Sequence, residues 1–169
     1  MSTQDLSGGG YPKIYGGVPD AIAKLEELMR VVSKQIAVRS EAELTVKPDA
    51  MRWSQKEILG HLIDSALNNL KRFTEASFAE TLPFAEQAYD QVNLVAANGY
   101  QDVPMPELLT LLEALNRQII FVVRRWNAKK FSVPVVLSNG AVQTLGWLVE
   151  DYVAHFEHHL KQLDLTVQP

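Results

Sequence analysis

Ser54-Gln55-Lys56-Glu57-Ile58-Leu59-Gly60-His61-Leu62-Ile63-Asp64-Ser65-Ala66-Leu67-Asn68-Asn69-Leu70-Lys71-Arg72-Phe73 is the stretch that decides how the rest of the chain is arranged. It opens on the S-x-x-E form of a capping box: the Ser54 oxygen takes a free amide at a helix start, and Glu57 reaches back. Trp53, one residue ahead, can staple the same turn through Ile58. Ile58, Leu59, Leu62, Ile63, Ala66, Leu67, Leu70 and Phe73 then form a broad apolar face. At about 100° per residue, His61, Ser65, Asn68 and Arg72 fall together on a flanking polar stripe. A helix with so wide an apolar face must be covered by others.

Upstream, Pro19 and Asp20 suit a first helical turn, and Ile22, Leu25, Leu28, Met29, Val32 and Ile36 recur at spacings of three and four, which predicts a first helix over 19–39. Residues 39–51, with Pro48 and Asp49, read as a connection. Downstream, residues 78–104 form a long link containing Pro83, Gly99 and Pro104, with a short helix over 86–97. A third helix starts near Pro106 and carries Leu108, Leu109, Leu112, Leu115, Ile119, Val122, Val123 and Trp126 as a core stripe. Two β-branched patches flank Ser138-Asn139-Gly140, which suits a tight hairpin turn. A fourth helix runs from Thr144 to about Leu163, its buried direction set by Leu145, Leu148, Val149, Tyr152, Phe156, Leu160 and Leu163. The sum is an all-α four-helix bundle over 19–169, with a long crossover between helices two and three and a short hairpin before helix four. Residues 1–18, with their glycine run Gly8-Gly9-Gly10, read as a flexible lead-in. Trp53, Trp126 and Trp147 read as packing residues.

Composition narrows the function. The chain is 169 residues long and 47% hydrophobic, enough for one domain with a real core. A formal net charge of -4 with interspersed signs offers no basic stripe for a phosphate backbone, so nucleic acid is not an expected partner. There are no cysteines, which excludes disulfides, thiolate ligands and a cysteine nucleophile. No basic-then-apolar leader and no apolar run of about 18–20 residues is present, so the expectation is a soluble cytoplasmic protein with no membrane partner.

Three of the 4 histidines lie in Asp151-Tyr152-Val153-Ala154-His155-Phe156-Glu157-His158-His159-Leu160-Lys161-Gln162, and the fourth is His61. His155 and His159 are one turn apart on the buried side of their helix, whereas His158 projects away. Two imidazoles at i and i+4 with His61 from a facing helix would give three nitrogen ligands and one open position, the arrangement of a catalytic metal site. The plain alternative is a pair of polar residues at a helix margin. His155-Phe156-Glu157-His158-His159 is not H-E-x-x-H, so zincin chemistry is not supported. Glu57 precedes His61 by four residues, not three, which does not match a ferritin-like di-iron turn. A haem or pH-sensing bundle using His155 and His159 stays open. Asp64, Asn68 and Asp151 are candidates to accept a ring N–H and fix a tautomer, and Arg72 to steer an anionic substrate; each can equally be an ordinary surface residue.

Trp53-Ser54-x-x-Glu57-Ile58-x-Gly60-His61-Leu62-x-Asp64-Ser65, then Asn69 and Arg72, the Pro83-centred link, and Tyr152-x-x-His155-x-x-His158-His159 together resemble the DinB/YfiT-like superfamily of metalloenzymes, over residues 20–164. The resemblance implies a four-helix bundle with one divalent metal on His61, His155 and His159, often as a homodimer. It implies a small-molecule substrate and either a thiol-dependent transferase, joining a low-molecular-weight thiol to an electrophile, or a metal-dependent hydrolase. Imidazole ligands suit zinc or nickel first, with iron and manganese admissible. The alternative is a non-catalytic, dimeric metal-binding bundle of a stress-response type.

Overall fold

The computed structural model describes residues 15–165, so all but the last residues of the expected lead-in lie outside the described part. Four long helices make the bundle: α1 (Val18–Ile36), α3 (Gln55–Phe78), α5 (Met105–Arg124) and α7 (Leu145–Gln162). Around the bundle, α1 packs on α7, α7 on α3, α3 on α5, and α5 back on α1. The apolar spacing explains each face. In α1, for example, Ala21, Ile22, Leu25, Leu28, Val32 and Ile36 are all buried along the inward stripe.

The helix starts follow from local chemistry. Ser54 and Glu57 form the expected capping box, with Glu57 N–H donating to Ser54 Oγ at 3.1 Å and Ser54 N–H to Glu57 Oε2 at 2.8 Å. Thr144 Oγ1 accepts from Trp147 N–H at 3.1 Å and starts α7. A second capping box, Ser40 with Glu43, nucleates the short helix α2 (Glu41–Thr45) inside what reads in the sequence as a plain connection. Glu41 of α2 takes the buried Lys56 at 2.6 Å and the Met105 amide at 2.6 Å, so one carboxylate ties the starts of α3 and α5 together.

The long crossover passes through a cis Leu82–Pro83 peptide, the two-residue strand β1 (Phe84–Ala85) and the helix α4 (Gln91–Asn98), which ends at Gly99 with φ 60°. The expected helix over 86–97 is thus shorter and later. After the one-turn helix α6 (Ala128–Phe131), the expected hairpin forms from β2 (Pro134–Val136) and β3 (Val142–Thr144), paired antiparallel with Val135 opposite Gln143. β1 joins β2 in parallel, Phe84 opposite Val135, making a three-stranded sheet that the sequence pattern does not reveal. Strands this short are held by tertiary neighbours and leave no alternating pattern.

Two details of the apolar faces differ from expectation. Leu67 is 56% exposed, so the inward face of α3 is narrower than its hydrophobic residues suggest. The α5 stripe is not purely apolar: buried Asn116 accepts the Tyr152 hydroxyl at 2.6 Å inside the core. Among the described residues no helix is long and apolar enough to cross a membrane.

Candidate metal centre

α3 packs on α7, and the first third of α3 lies beside the second half of α7. His61, two turns into α3, therefore meets His155 and His159 near the end of α7. One nitrogen from each ring lies within 4.8 Å of the others. His61 Nε2 is 3.1 Å from His155 Nε2, and His159 Nε2 is 3.1 Å from the same atom. The ring planes of His61 and His155 are 76° apart and those of His155 and His159 73° apart, so the rings meet at their nitrogen edges instead of stacking.

The outer nitrogens determine what the inner ones can do. His159 Nδ1 lies 2.9 Å from Gln162 Oε1, an amide oxygen that can only accept, so Nδ1 carries the proton and Nε2 presents its lone pair inward. His155 Nδ1 lies 3.4 Å from Ser65 Oγ, which in turn receives a hydrogen bond from Asn69 Nδ2 at 3.3 Å. Among the described residues nothing hydrogen-bonds to the buried His61 Nδ1, while the Trp53 ring covers the imidazole at 5.0 Å between centroids. Burial pushes the His61 pKa down to about 3, and a charge on His159 would add to that. His155 is held well below the usual histidine range, first by burial and then by the charges of His159, His61, His158 and Arg72. Both rings are neutral at physiological pH.

The Nε2 atoms of His61 and His159 both reach His155 Nε2, so a cation held at that point would take a lone pair from each ring. With metal–nitrogen bonds of about 2.0–2.1 Å in a tetrahedral site, neighbouring ligand nitrogens lie roughly 3.3 Å apart. The 3.1 Å separations are close to that spacing. The donor set, and the spacing of His155 to each of its two neighbours, fit a divalent ion.

The other residues singled out from the sequence are placed as follows. His158 is exposed and takes a hydrogen bond from Gln162 Nε2 at 3.1 Å. Asp64 is buried, but its Oδ1 accepts from the Tyr100 hydroxyl at 2.6 Å and from Asn98 Nδ2 at 2.8 Å. Burial raises its pKa and those two hydrogen bonds oppose the rise. Asn68 donates to the Asp64 carbonyl at 2.8 Å, within its own helix. Gln162, which sequence position did not single out, is the acceptor on His159, and the Ser65 hydroxyl lies near the outer nitrogen of His155. Asp151 is half-buried on α7, one turn before His155. Arg72 pairs with Glu86 and donates to the Gln87 carbonyl at 3.4 Å, which anchors the crossover beside the site.

Sequence reasoning passed over Gln162 and Ser65 as partners. A weak signal existed for Gln162, which is three residues after His159 and so on its face; Ser65 shares the α3 face of His61 but meets His155 of α7, a pairing that spacing within one helix does not give. Tyr100 and Asn98 had none, because the crossover alone brings them to α3. Tyr100 packs directly on Gly60, where a Cβ would lie 2.1 Å from its Cδ2.

The family described as the DinB superfamily matches residues 21–163. In three dimensions the chain is similar to YfiT from Bacillus subtilis, a probable metal-dependent hydrolase with an unusual four-helix bundle topology, at 20% identity over 88% of this chain and 89% of that one, with a TM-score of 0.76. It is similar to a mycothiol-dependent maleylpyruvate isomerase at 13% identity, over 89% of this chain and 62% of that one, with a TM-score of 0.69. A protein from Streptococcus pneumoniae superimposes at 12% identity over 89% of this chain and 91% of that one, with a TM-score of 0.63. No curated protein matches the sequence. At these identities the likeness is one of fold.

Proposed function

The chain belongs to the DinB superfamily, and from that premise we propose that it is a metal-dependent enzyme holding one divalent ion on His61, His155 and His159. The observation that carries the reading is the convergence of three Nε2 atoms with the outer nitrogen of His159 held by Gln162. When bound there, a divalent metal supplies Lewis acidity that brings the ionisation of water or a thiol toward pH ~7. The chain has no cysteine, so a thiol nucleophile would arrive with the substrate.

The protein's own residues prepare the site. Burial keeps His61 and His155 neutral, so their lone pairs are available at physiological pH. Gln162 holds the His159 tautomer, and Ser65, backed by Asn69, sits on the outer nitrogen of His155. Trp53 shields one side of His61 from water. Arg72 adds positive potential near His155, which favours an anionic substrate even while its guanidinium is anchored to Glu86.

The reaction is transfer of a low-molecular-weight thiol to an electrophile, or hydrolysis, with zinc or nickel as the first metals to try. The neighbours in fold include a probable metal-dependent hydrolase, YfiT, and an isomerase that depends on the thiol mycothiol, and fold alone does not choose between hydrolysis and thiol chemistry. The test is to strip the protein with chelator, reload it with zinc or nickel, and assay thiols with electrophiles alongside simple esters and amides. Metal-dependent turnover that is lost in His155→Ala is expected. Metal that raises the Tm without any turnover would support the non-catalytic metal-binding bundle instead.

A further inference from the structure

The edge of the bundle between α1 and α5 lies across from the α3–α7 edge that carries the histidines, and it is closed less fully than the other edges. A groove of about 1010 Å³ runs along it. Its floor is apolar, formed by Met29 of α1 with Ile120 and Phe121 of α5. Phe121 is 56% exposed despite its size. Exposed apolar residues scattered singly are ordinary, but an apolar floor inside a concavity of this volume is the form of a small-molecule site.

The rim indicates the charge of what it holds. Arg30, Lys34, Arg117, Arg124 and Arg125 line it against two carboxylates, Glu26 and Glu113. Both carboxylates are already engaged. Arg124 holds Glu26 through two contacts of 2.9 Å, and Glu113 takes the Ser33 hydroxyl with Arg117 at 3.8 Å. The Arg125 guanidinium lies over the Phe121 ring, 5.3 Å from its centre. Among the described residues no carboxylate is paired with Arg30, Lys34 or Arg125. A second copy of this chain laying the same face here would set cations against cations, so self-association does not suit the groove.

We propose that the α1–α5 groove binds a small amphipathic organic anion, a carboxylate on an extended acyl or aryl body. The body lies along Met29, Ile120 and Phe121 toward Arg125, and the carboxylate is drawn to Arg30 and Lys34 at the Arg117 end of the groove. The stretch from Arg117 to Arg125 spans about 12 Å along α5, which suits a chain of about ten carbons. The site is separate from the three-histidine centre and needs no metal.

The test titrates decanoate, and decanol as its uncharged counterpart, into the full chain by calorimetry, with amide NMR shifts to locate the contact. Saturable decanoate binding is expected, at least tenfold tighter than decanol and unchanged by chelator. Phe121→Ser and the double variant Arg30→Glu with Lys34→Glu are each expected to weaken it at least tenfold; all three positions are exposed enough that folding, checked by circular dichroism, should persist. Absence of saturable binding, equal affinity for decanol, or binding that survives both variants would overturn the proposal. An acidic amphipathic peptide that shifts the groove amides where decanoate does not would overturn it in favour of a protein partner.

Discussion

Gly60→Ala adds one methyl group beside His61, and its effect follows from three distances. The new Cβ would lie 2.1 Å from Tyr100 Cδ2, 2.3 Å from Cγ and 2.8 Å from Cβ. Carbon atoms rest about 3.5–4.0 Å apart, so the ring must retreat by more than an ångström. Tyr100 is 7% exposed and has little room to do so. Its hydroxyl also donates to Asp64 at 2.6 Å, a bond that the retreat would stretch or break. Overpacking of this kind costs about 1–3 kcal/mol. Loss of the hydrogen bond adds about 1 kcal/mol, the lower end of the range because Asn98 still serves the same oxygen at 2.8 Å. Against this, alanine is worth about 1 kcal/mol over glycine in a helix interior. The expected net is a loss of about 1–3 kcal/mol, read from urea denaturation at unchanged m-value. The same substitution in a Tyr100→Ala background, where the obstacle is gone, should be neutral or stabilising. If Gly60→Ala alone proves as stable as the parent protein, helix propensity has outweighed the contact and the reasoning about Gly60 is wrong.

Gln162→Leu leaves all three inward nitrogens in place but removes the acceptor on His159 Nδ1, and should weaken metal binding about tenfold in competition with a chromophoric chelator. Tyr152→Phe strips the buried Asn116 oxygen of its 2.6 Å donor and should cost about 1–3 kcal/mol in thermal or chemical unfolding. Chelator-treated protein should lose stability on acidification: His61 has its pKa lowered from 6.5 to about 3, so below pH 6.5 the unfolded chain takes up a proton that the folded one refuses. The stability is complete above that pH and falls as pH drops, by about 2 kcal/mol from this one group between pH 7.5 and 5, in urea titrations at the two values. Unchanged stability across that interval would contradict the burial account. Ser54→Ala removes the cap on α3 and should lower stability by about 1 kcal/mol.

Much of the bundle was legible because its helices announce themselves twice, by apolar spacing and by their ends. Ser54 with Glu57 marks the start of α3, and Thr144 the start of α7, within a residue of where they are found. The same signature at Ser40-Glu41-Ala42-Glu43 marks α2, yet that segment reads as a loop because only Leu44 on it is buried and no stripe develops. The sheet was illegible beyond its turn: β1 has two residues and is held by β2, more than forty positions away. Helix geometry alone puts His155 and His159 on one face, since i and i+4 fix two rings together, whereas His61 joined them through the gathering of all the histidines into two places and through the family resemblance. Their surroundings could not be read that way. Which group meets a ring nitrogen depends on rotamers: Gln162 is the acceptor on His159 and Ser65 lies near His155, while Tyr100 and Asn98 arrive from the crossover and take one oxygen of Asp64.

The most direct test of the three-histidine centre is the metal content of tag-free protein, measured by elemental analysis after gel filtration. About one divalent ion per chain is expected in the parent protein and in His158→Ala, with little in His61→Ala, His155→Ala or His159→Ala while circular dichroism shows each still helical. Equal metal in the parent and in folded His61→Ala would contradict the central claim.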